Sequence, residues 1–117
     1  MAGSHYHLGN LVAIVDANGF SGGGATSAAM NIEPLADRFT AFGWSVVEID
    51  GHDPQAVLDT FDAFPDPASD KPTCVIARTV KGKGLRMTEQ APQAWHLGHM
   101  TDEQQTDAVR EIKARMA

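Results

Sequence analysis

Leu11-Val12-Ala13-Ile14-Val15-Asp16-Ala17-Asn18-Gly19-Phe20 is the stretch that decides the fold. Five apolar residues without alternation read as a strand covered on both faces, the habit of central strands in parallel sheets. The run stops at an acid, an amide and a glycine. Ligands of open α/β sheets sit beyond the carboxyl ends of the strands, which puts Asp16, Asn18 and the backbone around Gly19 where a bound group would lie.

The next residues, Ser21-Gly22-Gly23-Gly24-Ala25-Thr26, suit close backbone approach but carry no lysine for a phosphate. They match neither the dinucleotide-binding glycine pattern nor the Walker A pattern. An asparagine amide beside exposed carbonyls suits a hard cation such as Mg²⁺. A plain turn, with Asn18 left-handed and Gly19 beside it, is the preferred reading of these residues taken alone.

Outward from this stretch, the pattern repeats. Gly9-Asn10 reads as a helix terminator ahead of the first strand. Glu33 to Phe42 sets Leu35, Phe39 and Phe42 on one helical face, with Pro34 in the permitted first turn and Gly43 as the stop. Trp44 to Asp50 is rich in β-branched residues and reads as a second strand. Asp53 caps a helix with Pro54 at its first position, and Val57, Leu58, Phe61 and Phe64 form its inward face. Pro65 to Asp70 is a surface loop, and Pro72 to Val80 a third strand. Strands alternating with helices predict an α/β fold with a parallel sheet and helices on its faces.

Lys81 to Met100 shows no clear period, and twenty irregular residues exceed an ordinary connection, so a functional segment is expected there. Thr101 and Gln104 form a capping box that starts a last helix, with Ala108, Val109, Ile112 and Met116 on one face. Its basic residues gather at the carboxyl end, where the helix dipole favours them.

Composition narrows the function classes. A chain of 117 residues is expected to be a single domain spanning 1–117. A formal charge of -6 argues against nucleic acid or an anionic membrane as partner. The lone cysteine, Cys74, sits in an apolar run and reads as a small buried hydrophobe of a reducing compartment. No apolar stretch reaches membrane-spanning length, and no leader-like start is visible, so a cytoplasmic location is expected. His96 and His99 offer two zinc ligands without a third, and His5 and His7 cannot share a helix face.

Six segments in order carry a family likeness: Ile14 to Gly19, Met30 to Asp37, Ala41 to Trp44, Val47 to Asp53, Thr79 to Gly84, and Trp95-His96. Together they resemble the thiamine diphosphate-binding domain of transketolases, most closely the second half of the separate N-terminal subunit of split bacterial transketolases. The resemblance implies a thiamine diphosphate-binding fold that is incomplete in this chain. It implies that Asn18 binds Mg²⁺ through its side chain and Phe20 through its carbonyl, with Gly19 presenting both. It also implies that His96 is the catalytic histidine touching cofactor and substrate. The implied activity is transfer of a two-carbon ketol unit between sugars or sugar phosphates.

Two departures accompany the likeness. The family's Gly-Asp-Gly motif, whose aspartate is a further metal ligand, is absent from the seventeen residues before Asn18. A partner chain, or an upstream segment, supplying that half of the site is therefore expected, with another chain supplying the pyrimidine-binding domain. Gly22 and Gly23 also stand where the family usually has a bulky aliphatic residue and an aspartate. Alternative readings are a non-catalytic assembly subunit, a related enzyme of the deoxyxylulose phosphate synthase or 2-oxo acid dehydrogenase type, and an unrelated nucleotide-binding α/β domain.

Overall fold

The computed structural model describes residues 1–66 and 68–116. In chain order the elements are α1 (Ala2–His5), β1 (Val12–Ala17), β2 (Phe20–Ser21), β3 (Gly24–Ala25), α2 (Thr26–Ala29) and α3 (Leu35–Ala41). They continue with β4 (Ser45–Asp50), α4 (Pro54–Asp62), β5 (Thr73–Arg78), α5 (Arg86–Gln90) and α6 (Asp102–Met116). They fall into two compact units. The first comprises Met1–Asn18 and Asn31–Thr79, the second Gly19–Met30 and the described residues from Val80 on.

The first unit is built on a parallel three-stranded sheet of order β1-β5-β4. As the sequence predicts, the fold is α/β with helices on the faces of a parallel sheet, here a small piece of such a fold. On one face Cys74 and Ile76 of β5 pack with Leu35 of α3, flanked by Val15, Ala17, Ala36, Phe39, Trp44 and Val46. On the other, α4 lies against β4, and its Thr60 and the Ala63 that follows it share a cavity wall with Val47 and Thr73.

The central strand is β5 rather than β1. Residues 72–76 are buried without a break, whereas β1 pairs on one side only, and its Ile14 is 59% exposed. Val15 and Ala17 reach the core cluster, but Val12 and Ile14 point to the opposite face, where α4 lies against β4 and Ile14 keeps more than half of its surface exposed. An apolar run reports what a strand is suited to touch, and β1 meets only half of it within this chain.

The local helix signals behave as the sequence predicts. The carboxylate of Asp53 accepts from the Gln55 amide at 2.9 Å and Pro54 opens α4. Gly43, at φ 83, ends the turn after α3. Three expectations shift. The helix before β1 ends at His5, four residues ahead of Gly9, and Gly9 instead lets the backbone pass Ser69, whose carbonyl a Cβ there would strike. Pro34 is the cap of α3 rather than a residue of its first turn. Phe42 follows the helix as its C-cap and is 49% exposed. The sequence assignment of a loop to Pro65 to Asp70 includes Pro67, which lies outside the described residues.

In the second unit, β2 and β3 form a two-residue antiparallel hairpin around Gly22 and Gly23, with Gly24 at φ 116. The capping box of α6 is reciprocal: the Gln104 amide donates to Thr101 Oγ1 at 3.2 Å, and the Thr101 amide to Gln104 Oε1 at 2.9 Å. Only Ala108 of its expected inward face is buried, while Val109, Ile112 and Met116 are exposed. The segment from Lys81 to Met100 is irregular apart from the short α5. Within it, Thr88 donates to the Leu85 carbonyl at 2.8 Å and the Trp95 indole to the Met87 carbonyl at 3.2 Å.

Candidate functional site

Strand parity builds the polar end of the sheet in the first unit. Side chains two apart on a strand share a face, so Asp16 and the following Asn18 project to the same side. In the register of the sheet Asp16 lies opposite Ala77, and Ala77 opposite Ile49. Thr79 and Gly51, each two residues further on, continue that face beyond β5 and β4. The contacts follow this geometry. Asn18 Nδ2 donates to Asp16 Oδ2 at 3.1 Å, and the Thr79 hydroxyl donates to the other oxygen of the same carboxylate. A Cβ on Gly51 would stand 2.5 Å from the Thr79 methyl carbon, so only glycine leaves that side chain its place.

On the neighbouring positions Arg78 grips two carboxylates. Its guanidinium donates to Glu48 from Nε at 2.9 Å and contacts both oxygens of Glu33. Glu33 also accepts from the Leu35 amide at 2.9 Å, so the ion pair reaches the first turn of α3. The Arg78 hydrogen bond, then that from Leu35, holds the Glu33 carboxyl below the usual glutamate range, and the two carboxylates push the arginine up. Because these groups are about half exposed, the network orders the segment more than it stabilises it.

In the second unit Gly19, at φ 77, takes the left-handed conformation that the sequence reading expected of Asn18, because glycine has no Cβ to oppose it. Its carbonyl accepts from the amide of Thr26 at 2.9 Å and from the hydroxyl of the same residue at 3.2 Å. Phe20 is half-buried and pairs with Ala25 across the hairpin. His96 is exposed and comes to the tip of that hairpin: a Cβ on Gly22 would be 3.7 Å from His96 Nε2. Gln93 fixes the approach by donating to the Gly22 carbonyl at 3.2 Å, and its own carbonyl accepts from the His96 amide at 3.2 Å. The structure thus places His96 against the glycine loop within the second unit, and Asn18 in a polar cluster of the first.

Thr79, Gly51, Arg78 and Gln93 are not singled out for these contacts by the sequence. Asp16 and Thr79 are 63 residues apart, and their meeting depends on strand order and register, which no local pattern carries. Among the described residues no three His, Cys, Asp or Glu side chains gather in a way that would hold a metal. No helix of the described residues is long and apolar enough to cross a membrane.

Similarity to known proteins bears on these features together. The family described as Transketolase, thiamine diphosphate binding domain, matches residues 1–115. One of the subunits of the apulose-4-phosphate transketolase of Phocaeicola vulgatus is 42% identical over 116 residues, which are 99% of this chain and 41% of that protein. The 6-deoxy-6-sulfo-D-fructose transketolase subunit SqwG of a Clostridium species is 34% identical over 91% of this chain and 38% of that protein. Among solved structures, transketolase from Campylobacter jejuni matches 97% of this chain and 22% of its own, with a TM-score of 0.62 at 25% identity. The chain therefore spans about two fifths of the two bacterial subunits it resembles. With a family match over nearly its whole length, it belongs to the transketolase family, as part of the thiamine diphosphate-binding domain.

Proposed function

We propose that residues 1–117 are the C-terminal part of the thiamine diphosphate-binding domain of a split transketolase, acting in the cytoplasm within an assembly that moves a two-carbon ketol unit between sugars or sugar phosphates. The observation that carries this reading is the match to transketolase subunits along nearly all of this chain and only about two fifths of theirs. The one-sided pairing of β1 supports it, because an apolar edge strand with Ile14 exposed suits a further strand from elsewhere.

The donor set fits Mg²⁺. The Asn18 amide oxygen and the Phe20 peptide oxygen are hard ligands of the type that ion takes, and it usually draws only one or two carboxylates. In this reading Asn18 and Phe20 hold the metal, Gly19 turns the chain between them, and a partner chain adds the aspartate of its Gly-Asp-Gly motif. Another partner contributes the pyrimidine-binding domain. Thiamine diphosphate, when bound, supplies the carbanion chemistry, while the protein binds and orients. His96, exposed at the hairpin tip, donates or accepts hydrogen bonds toward substrate and cofactor.

A second reading has its own observation. The hairpin tip is Gly22-Gly23 and offers no side chain toward a bound ring, as suits an assembly subunit that kept the fold without the chemistry. Calorimetry of thiamine diphosphate with Mg²⁺ on the assembled protein separates the two. Asn18→Leu abolishes metal-dependent binding if the chain holds the metal, and unchanged affinity contradicts that role.

A further inference from the structure

We propose that Asp16 and Thr79 are positioning residues that orient the Asn18 amide toward a divalent cation, with Gly51 keeping Thr79 in place. This rests on the reading of Asn18 as a metal ligand and goes beyond it, since neither Asp16 nor Thr79 is placed on the ion.

An amide side chain has two ends of opposite character, and a metal site works only if the oxygen end is offered. An ionised carboxylate only accepts hydrogen bonds, so the end of Asn18 that faces Asp16 must be the NH₂. That contact fixes which way the amide is turned and sends its oxygen away from Asp16. A carboxylate held by one hydrogen bond would itself swing. The Thr79 hydroxyl occupies the second oxygen of Asp16, so the carboxylate is gripped from two sides, by Asn18 just past β1 and by Thr79 just past β5.

The third member is steric. Thr79 has a β-branched side chain whose methyl and hydroxyl exchange places on rotation. The methyl lies over Gly51, where a Cβ would stand at 2.5 Å, and the Gly51 amide is tied to the Arg78 carbonyl at 2.9 Å. With the methyl seated over glycine, the hydroxyl is left on the Asp16 side. Gly51 lies outside the left-handed region, so its need for glycine is one of space rather than backbone conformation. Partners behind a metal ligand characteristically contribute about ten- to a hundredfold in affinity.

The test is Mg²⁺ affinity by calorimetry at saturating thiamine diphosphate, on the protein in its native assembly, with the metal-free thermal midpoint measured alongside. Asp16→Ala is expected to weaken Mg²⁺ about ten- to a hundredfold. Thr79→Val, which keeps shape and loses the hydroxyl, weakens it several-fold, and Thr79→Ser restores wild-type affinity. Gly51→Ala behaves as Thr79→Val. A merely structural role would move the metal-free midpoint with Thr79→Val and would not distinguish serine from valine by metal affinity. If Asn18→Leu abolishes Mg²⁺ binding while Asp16→Ala and Thr79→Val keep wild-type affinity, the positioning role is overturned and the metal-ligand reading stands. If Asn18→Leu itself leaves affinity unchanged, the metal-ligand reading fails first.

Discussion

Strands β1 and β5 are composed alike and end up in opposite settings. Val12 to Val15 and Cys74 to Ala77 are both continuous apolar runs, on parallel strands in which Ala13 lies opposite Cys74 and Val15 opposite Ile76. Yet Cys74, Val75 and Ile76 have essentially no exposed surface, while Ile14 keeps more than half of its own. The difference is one of neighbours. β5 has a strand on each side and is buried on both faces, and β1 has one strand and reaches the core cluster from one face. Composition of this kind records the environment a strand is suited to, and for β1 that environment is larger than this chain provides.

The contrast predicts a steep gradient of mutational effects. Ile76→Ala empties the middle of the core and is expected to cost about 2–5 kcal/mol in chemical denaturation. Ile14→Ala removes mostly exposed surface and is expected to change the stability of this chain by less than about 1 kcal/mol. A cost at Ile14 equal to that at Ile76 would break the comparison. A large effect of Ile14→Ala on assembly with partner chains, at constant stability of this chain, would sharpen it.

Arg78 provides an intermediate case at the polar end of the same sheet. Arg78→Met is expected to cost about 1 kcal/mol or less, as befits exposed ion pairs, and the cost depends on pH. Glu33 has its folded carboxyl lowered by Arg78, so its contribution is present above the unfolded glutamate value of about 4.3 and is lost as pH falls through the folded one. Wild type and Arg78→Met therefore differ at neutral pH and converge in acid, a trend that denaturation at several pH values checks.

The smallest effect is expected at the start of β5. The Thr73 hydroxyl is buried and has no hydrogen-bond partner among the described residues. Thr73→Val keeps the shape and removes the unsatisfied group, so it is expected to be neutral or to stabilise by up to about 1 kcal/mol. A clear loss of stability would show that the hydroxyl is satisfied in solution.

What was legible in the sequence is what neighbouring residues decide among themselves. Asp53-Pro54 sets the start of α4, Thr101 and Gln104 that of α6, and Gly19 the turn after β1, each through contacts within a few residues. What was not legible depends on partners distant in the chain. The exchange of roles between β1 and β5 follows from strand order, and the exposure of Val109, Ile112 and Met116 on α6 from how little of that helix the second unit covers. The candidate site divides in the same way. Asn18 and Gly19 stand out locally, but the grip of Thr79 on Asp16 requires Asp16 to lie opposite Ala77, a consequence of register alone.

The central claim is that β1 is an interior strand of a larger sheet, completed in a transketolase assembly by a strand from outside residues 1–117. Hydrogen exchange on the protein in that assembly tests it most directly, by comparing the backbone amides of β1 with those of β5. The account predicts that the amides from Ala13 to Asp16 are protected as strongly as those from Cys74 to Ala77. Exchange of the β1 amides orders of magnitude faster, with β5 still protected, would mean that the edge stays open and would contradict it.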